Sequence, residues 1–253
     1  MTSKNREKRE LRELQKVEPS LLPYEYWPED IKQYNETRLE KKIQAKNPWQ
    51  DRYLSALRND EHVLGIGKAG TGKTFLAAAC AAKMLQDKNI KMIVMTRPPL
   101  ECGEKMGFLP GDLNEKYAPY VEPFIDGLSY VLGRVNVMKM LEDPKSGKLL
   151  AIPPNFVRGR TFDNAVMLID EAQNLEKPTM KAILTRVGQN SKLFITGDLD
   201  QIDLKPYQES GLKWWVESLR QHRPEVEIVD FDQAPVVRSA HCEWILEVCK
   251  KVQ

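Results

Sequence analysis

One run of eight residues, Gly67-Lys68-Ala69-Gly70-Thr71-Gly72-Lys73-Thr74, has types and spacing that suit a single task, holding phosphate. It fits the pattern Gly-x4-Gly-Lys-Ser/Thr. Glycines let backbone N–H groups turn inward around phosphate oxygens. A helix starting at about Lys73 would add the partial positive charge of its N-terminus. Lys73 is expected to bridge the β- and γ-phosphates of ATP, with the Thr74 hydroxyl on Mg²⁺. Gly67, Lys68, Ala69, Gly70, Thr71 and Gly72 form the rest of the expected nucleotide cradle.

Met167-Leu168-Ile169-Asp170-Glu171 is an apolar run ending in two carboxylates. Asp170 is the expected member of the Mg²⁺ shell, and Glu171 is the expected group that polarises water. Adjacent carboxylates suit hydrolysis better than transfer to a small acceptor, so a kinase ranks last among the readings. A second apolar run, Leu193-Phe194-Ile195-Thr196, enters the loop Gly197-Asp198-Leu199-Asp200-Gln201. There Gln201 is expected to hydrogen-bond the γ-phosphate or the attacking water. Asp-Glu followed by Gly-Asp-x-x-Gln resembles superfamily-1 helicases. Asn47-Pro48-Trp49-Gln50 resembles their upstream glutamine motif, which implies that Gln50 contacts adenine.

These residues need a frame. Short apolar runs at 63–66, 91–96, 165–169, 193–196 and 226–229 predict strands. Helices are predicted from the Asn47-Pro48 cap to about 59, from about 73 onward, over about 119–132, over 178–187 closed by Gly188, and over 211–221 and 239–252. Residues 97–115 read as a loop. Alternation of this kind predicts an α/β fold, a mostly parallel sheet with helices on both faces.

The remainder of the chain narrows the class. Its 253 residues are enough for a real core, and the net charge of +2 announces no nucleic-acid binder by itself. No apolar run reaches the roughly 20 residues that span a bilayer, so no membrane partner is expected. Four cysteines without CxxC spacing and only three histidines argue against a disulfide framework or a zinc site. The charged N-terminus does not read as a signal peptide, and a reducing cytoplasm is the expected setting, a host's if a phage encodes the chain. Residues 1–46 are expected to be a charged arm and extended segment, and 47–253 the packed domain.

More specific text surrounds the motifs. Thr96-Arg97-Pro98, the block Gly107-Phe108-Leu109-Pro110-Gly111-Asp112-Leu113, Arg158-Gly159-Arg160-Thr161 and Asp170-Glu171-Ala172-Gln173-Asn174 together resemble the PhoH family. The resemblance covers roughly 47–250. It implies a RecA-like P-loop NTPase domain, related to the first domain of superfamily-1 helicases, in a family some of whose members act on RNA. The expected function is ATP hydrolysis with Mg²⁺, coupled to single-stranded nucleic acid, RNA more than DNA. The alternative is an ATP-driven switch acting on a protein partner. Arg97, Lys105, Phe108, Lys116, Tyr117 and Tyr120 offer cations and aromatic rings for a strand groove, with Arg158 and Arg160 as further cations. A single P-loop implies that a cation reaches the γ-phosphate from another copy, so a homo-hexameric ring is expected. Arg238 is the first candidate for that finger and Arg160 the second.

Overall fold

The structure is a computed structural model that describes residues 42–99, 113–223 and 226–237. Its strands are β1 His62–Ile66, β2 Met92–Thr96, β3 Leu149–Ala151, β4 Ala165–Ile169, β5 Lys192–Gly197 and β6 Glu227–Asp230. They form a six-stranded sheet in the order β3-β2-β4-β5-β1-β6. Every pairing is parallel. The helices are α1 Pro48–Asn59, α2 Lys73–Gln86, α3 Leu113–Leu132, α4 Arg134–Glu142, α5 Lys177–Leu184 and α6 Gly211–His222.

Period-two alternation along the strands sends residues to two separate cores. Val166, Leu168 and Phe194 pack on one face with Tyr53 of α1, Leu76 of α2 and Phe124 of α3. Met167, Ile169 and Ile195 pack on the other with Met180 and Ile183 of α5 and Leu212 and Val216 of α6. This double burial explains why the strands read as continuous apolar runs. The alanine-rich α2 lets α3 approach closely. A Cβ added at Gly127 would lie 2.5 Å from the Phe75 carbonyl oxygen and 2.7 Å from the Ala78 Cβ. A glycine inside α3, normally a destabilising choice, is what permits this contact.

The register positions the chemistry. Ile66 lies opposite Gly197, Ile169 opposite Ile195, and Thr96 opposite Ile169. The residues that leave β1, β2, β4 and β5, namely Gly67, Arg97, Asp170 and Asp198, therefore emerge along one edge. Strand β5 lies between β1 and β4, so the loop after it emerges between the strand ends that carry the phosphate loop and the carboxylates. This is the crevice at strand carboxyl ends where open α/β sheets bind ligands.

The predicted strands are all present, and α4 and β3 are additions to them. Helix α4 buries few residues, Val135 and Val137 among them, and β3 has only three residues paired to β2 at the sheet edge. Neither carries enough periodic pattern to stand out in the sequence. Helix α3 begins before Pro119, a residue that suits a first helical turn, and contains Pro119 and Pro123 in its interior. Helix α5 stops at Leu184, short of Gly188, because Thr185 already closes it. Most of the expected arm, Lys105 and Phe108, Arg238 and the expected helix at 239–252 lie outside the described residues. Among the described residues, no helix is long and apolar enough to cross a membrane.

Candidate active site

The phosphate loop forms because its glycines accept backbone angles that other residues resist. Gly67, Gly70 and Gly72 have φ of 112°, 78° and 90°. The loop closes around its own lysine. The Lys73 ammonium donates to the carbonyls of Gly67 and Lys68, the latter at 2.7 Å. The Thr71 hydroxyl also donates to the Lys68 carbonyl, at 3.0 Å. Burial pulls the Lys73 pKa down, opposed by the nearby carboxylates of Asp198, Asp170, Glu171 and Asp232. Those carboxylates favour the charged form.

Helix α1 braces the loop from outside. The Asn47 side chain caps α1 by accepting the Gln50 N–H at 2.9 Å. Gln50 is buried, its Nε2 donating to the Thr71 carbonyl at 2.8 Å while its Oε1 accepts the Lys46 N–H at 2.8 Å. That leaves the Gln50 side chain one amide hydrogen and one carbonyl lone pair without a partner among the described residues. On the opposite side, the chain after β6 returns over the loop, and the Val237 N–H donates to the Gly70 carbonyl at 2.9 Å.

The carboxylates are held by side chains from neighbouring strand ends and from the phosphate loop. Asp170 Oδ1 accepts from the Thr74 hydroxyl at 2.8 Å and from the Thr196 hydroxyl at 2.5 Å. Asp170 Oδ2 lies 3.5 Å from the Arg97 guanidinium, whose other terminal nitrogen lies 3.4 Å from Glu171 Oε1. Glu171 has a φ of 50°, left-handed for a residue with a side chain, at a cost of about 1–2 kcal/mol. That conformation turns the chain sharply after β4. The Gln173 Nε2 donates to Glu171 Oε2 at 2.6 Å and to the Gln201 carbonyl at 3.2 Å, while its Oε1 accepts the Asp198 N–H at 3.1 Å. Gln201 in turn donates to Asp198 Oδ2 at 2.6 Å.

Ala69, Gly70, Gly72, Lys73, Thr74, Asp170, Glu171, Asp198 and Gln201 line one cleft of about 360 Å³, with Arg97 and Val237. Most of the sequence-predicted residues thus meet in one place. The hydroxyl of Thr74 and the carboxylate of Asp170 form a hard oxygen donor pair beside the phosphate loop, which fits Mg²⁺ better than a softer metal.

Four residues take parts here that their types and spacing do not announce. Arg97, expected to face a nucleic-acid strand, turns inward onto both carboxylates. Tyr117, expected as a stacking platform, is 1% exposed. Its hydroxyl accepts the Arg97 N–H at 2.7 Å and donates to the Arg97 carbonyl at 2.9 Å. Burial pushes its pKa up to about 12, with hydrogen bonding pulling the other way. Gln173 and Thr196 have no expected role. Only the place of Gln173 in the Asp-Glu-Ala-Gln-Asn block singles it out.

Comparison with known proteins follows the same lines. The family model described as PhoH-like protein matches residues 42–250. A PhoH-like protein of Bacillus subtilis (strain 168) is 42% identical over 211 residues, spanning 83% of this chain and 65% of that protein. Protein PhoH of Escherichia coli (strain K12) is 42% identical over 204 residues, spanning 81% of this chain and 57% of that protein. The chain thus spans less than two thirds of the length of these relatives. Among solved structures, the large terminase of a thermophilic bacteriophage superposes with a TM-score of 0.51 at 12% identity, over 81% of this chain and 50% of that one. That likeness concerns the fold, a RecA-like P-loop architecture. With a family match across most of its length and relatives above 40% identity, the chain belongs to the PhoH-like protein family.

Proposed function

We propose that the protein is a Mg²⁺-dependent ATPase that couples hydrolysis to binding or remodelling single-stranded nucleic acid, RNA in preference to DNA. The observation that carries the ATPase reading is the convergence of Lys73, Thr74, Asp170 and Glu171 on one cleft at aligned strand ends. In this reading the triphosphate lies along residues 67–74, and the Lys73 ammonium exchanges the Gly67 and Lys68 carbonyls for phosphate oxygens. Thr74 and Asp170 hold Mg²⁺, which supplies charge neutralisation to the phosphates when bound. Glu171 orients the attacking water and accepts its proton. Gln201 releases Asp198 to meet the γ-phosphate, and Gln50 turns its free amide hydrogen to adenine.

The nucleic-acid half rests on exposed rings beside cations. Tyr207 is 78% exposed with the Lys205 ammonium 5.8 Å from its ring, and Phe156 is 56% exposed near exposed Arg158 and Arg160. Both rings sit on loops that follow strands, and stacked bases with paired phosphates suit such a surface. The test is ATP turnover measured alone, with single-stranded RNA and with single-stranded DNA. Stimulation by RNA above DNA is expected, and the Phe156→Ala/Tyr207→Ala double variant should weaken RNA binding about tenfold or more. Binding should weaken as salt rises. Response to neither nucleic acid would favour a protein partner instead.

A homo-hexameric ring belongs to the same proposal, with Arg238 or Arg160 reaching a neighbour's γ-phosphate. Mixing inactive Lys73→Ala and Arg238→Ala proteins should restore some turnover. A fully active monomer in light scattering would defeat the ring.

A further inference from the structure

The carboxylates of this site already have a cation. Asp170 Oδ1 is filled by two hydroxyls and Glu171 Oε2 by the Gln173 amide, which leaves Asp170 Oδ2 and Glu171 Oε1. The Arg97 guanidinium addresses both remaining oxygens, at 3.5 Å and 3.4 Å. Those separations are long for such a group. Elsewhere in the chain Arg52 meets Glu227, and Arg134 meets Glu122, at 2.7 Å. The contact is therefore a charge contact short of a tight fork, easy to release.

Its stem is fixed while its tip is not. Tyr117 clasps both the N–H and the carbonyl of Arg97 through one buried hydroxyl, and Pro98 after it is buried. Both polar groups of the Arg97 backbone are thus tied, which leaves its side chain as the part placed to yield. Asp170 is 5% exposed at its side chain, so water compensates its charge poorly. A carboxylate pair in that setting needs a counter-ion as long as no metal is bound.

We propose that Arg97 is a resident counter-ion of the metal site, holding Asp170 and Glu171 until Mg²⁺ arrives with nucleotide and displaces it. The proposal rests on the Mg²⁺·ATP reading above. A guanidinium at Asp170 Oδ2 and a divalent ion on the same carboxylate repel each other strongly. The consequence is a site that refuses metal alone and loads metal together with phosphates, whose oxygens give the metal further ligands and offer the displaced guanidinium another anionic partner. Glu171 is released for water in the same step, so the base is freed only when there is substrate to attack. Arg97 acts here as a positioning residue.

The experiment reads metal binding rather than turnover. Mn²⁺ serves as the probe, followed by electron paramagnetic resonance, with wild type, Arg97→Ala and Arg97→Lys compared with and without ADP. Wild type should take up Mn²⁺ with ADP and bind it at least about tenfold more weakly without. Arg97→Ala should bind Mn²⁺ without nucleotide about tenfold more tightly than wild type, and Arg97→Lys, which keeps the charge but not the fork, should fall between. Equal or weaker Mn²⁺ uptake by Arg97→Ala, in protein whose melting curve shows it folded, overturns the proposal. Failure of wild type to bind Mn²⁺ even with ADP would instead overturn the Mg²⁺·ATP reading itself.

Discussion

The phosphate loop and the carboxylate ledge face each other across one cleft, yet they are built in opposite ways. The loop, 67–74, is one continuous stretch whose polar groups are mostly backbone, and its lysine is satisfied by carbonyls five and six residues earlier. The ledge is made of side chains at the ends of β2, β4 and β5. Its contacts span 26 residues between Thr196 and Asp170, 74 between Arg97 and Glu171, and 96 between Thr74 and Asp170. A local device tolerates changes elsewhere in the fold. A device assembled across several strand ends depends on the register of the sheet, so a small shift in one strand loosens all of it. The loop should thus govern binding, and the ledge should govern turnover and communication.

Lys73→Ala tests the loop most directly and should have the largest effect. Nucleotide affinity should fall about 100-fold or more, because the lysine that clamps the β- and γ-phosphates in this reading is gone. Titration with a fluorescent ATP analogue measures this. Affinity close to wild type would mean that the backbone alone holds phosphate.

Glu171→Gln separates the two regions. It keeps the shape but removes the proton acceptor, and it leaves one of the two donors on Glu171, the Gln173 amide or Arg97, without an acceptor. Turnover should drop about 100- to 1000-fold with affinity nearly unchanged. Single-turnover hydrolysis beside equilibrium binding provides both numbers. Normal hydrolysis would remove Glu171 from the role of base.

Gln173→Ala strikes the ledge at its joint. It frees Glu171 Oε2 and leaves the buried Asp198 N–H without its acceptor. Stability should fall by about 1–3 kcal/mol in urea unfolding, the penalty of an unsatisfied buried group. Turnover should fall by about tenfold, more than binding, because Glu171 and the Gln201 loop lose their link. If binding and turnover fall equally, the ledge and the loop are not separable devices.

The smallest effect concerns α2, which carries the loop into the core. Cys80 on α2 is buried, and burial pushes its thiol up from 9.0 to about 11. A raised acid pKa stabilises the folded state below the unfolded value, and that contribution is lost as pH climbs from about 9 to about 11. Melting temperature should therefore fall through that window. Cys80→Ala should flatten the fall, by ~1 kcal/mol per pH unit at most. An unchanged slope would place alkaline sensitivity on Tyr117 or Tyr53, whose hydroxyls burial also holds protonated.

Much of this is legible in the sequence, and the reason is locality. Strands buried on both faces must be continuous apolar runs, so β1, β2, β4 and β5 can be read directly, while the edge strand β6 shows only as the pair Ile228-Val229 flanked by carboxylates. A phosphate cradle must be glycine-rich and lead into a helix, so residues 67–74 declare their chemistry by type and spacing alone. The Asp170-Glu171 pair is likewise marked by its place at the end of an apolar run. The tertiary structure alone decided strand order, which puts β5 between β1 and β4 and so hands Thr196 to Asp170. It alone decided that Arg97 turns inward, because the Tyr117 hydroxyl that pins its backbone arrives from a helix 20 residues further on. Burial of Tyr117 and the alignment of strand ends are long-range outcomes of packing, and no short window of residue types carries them.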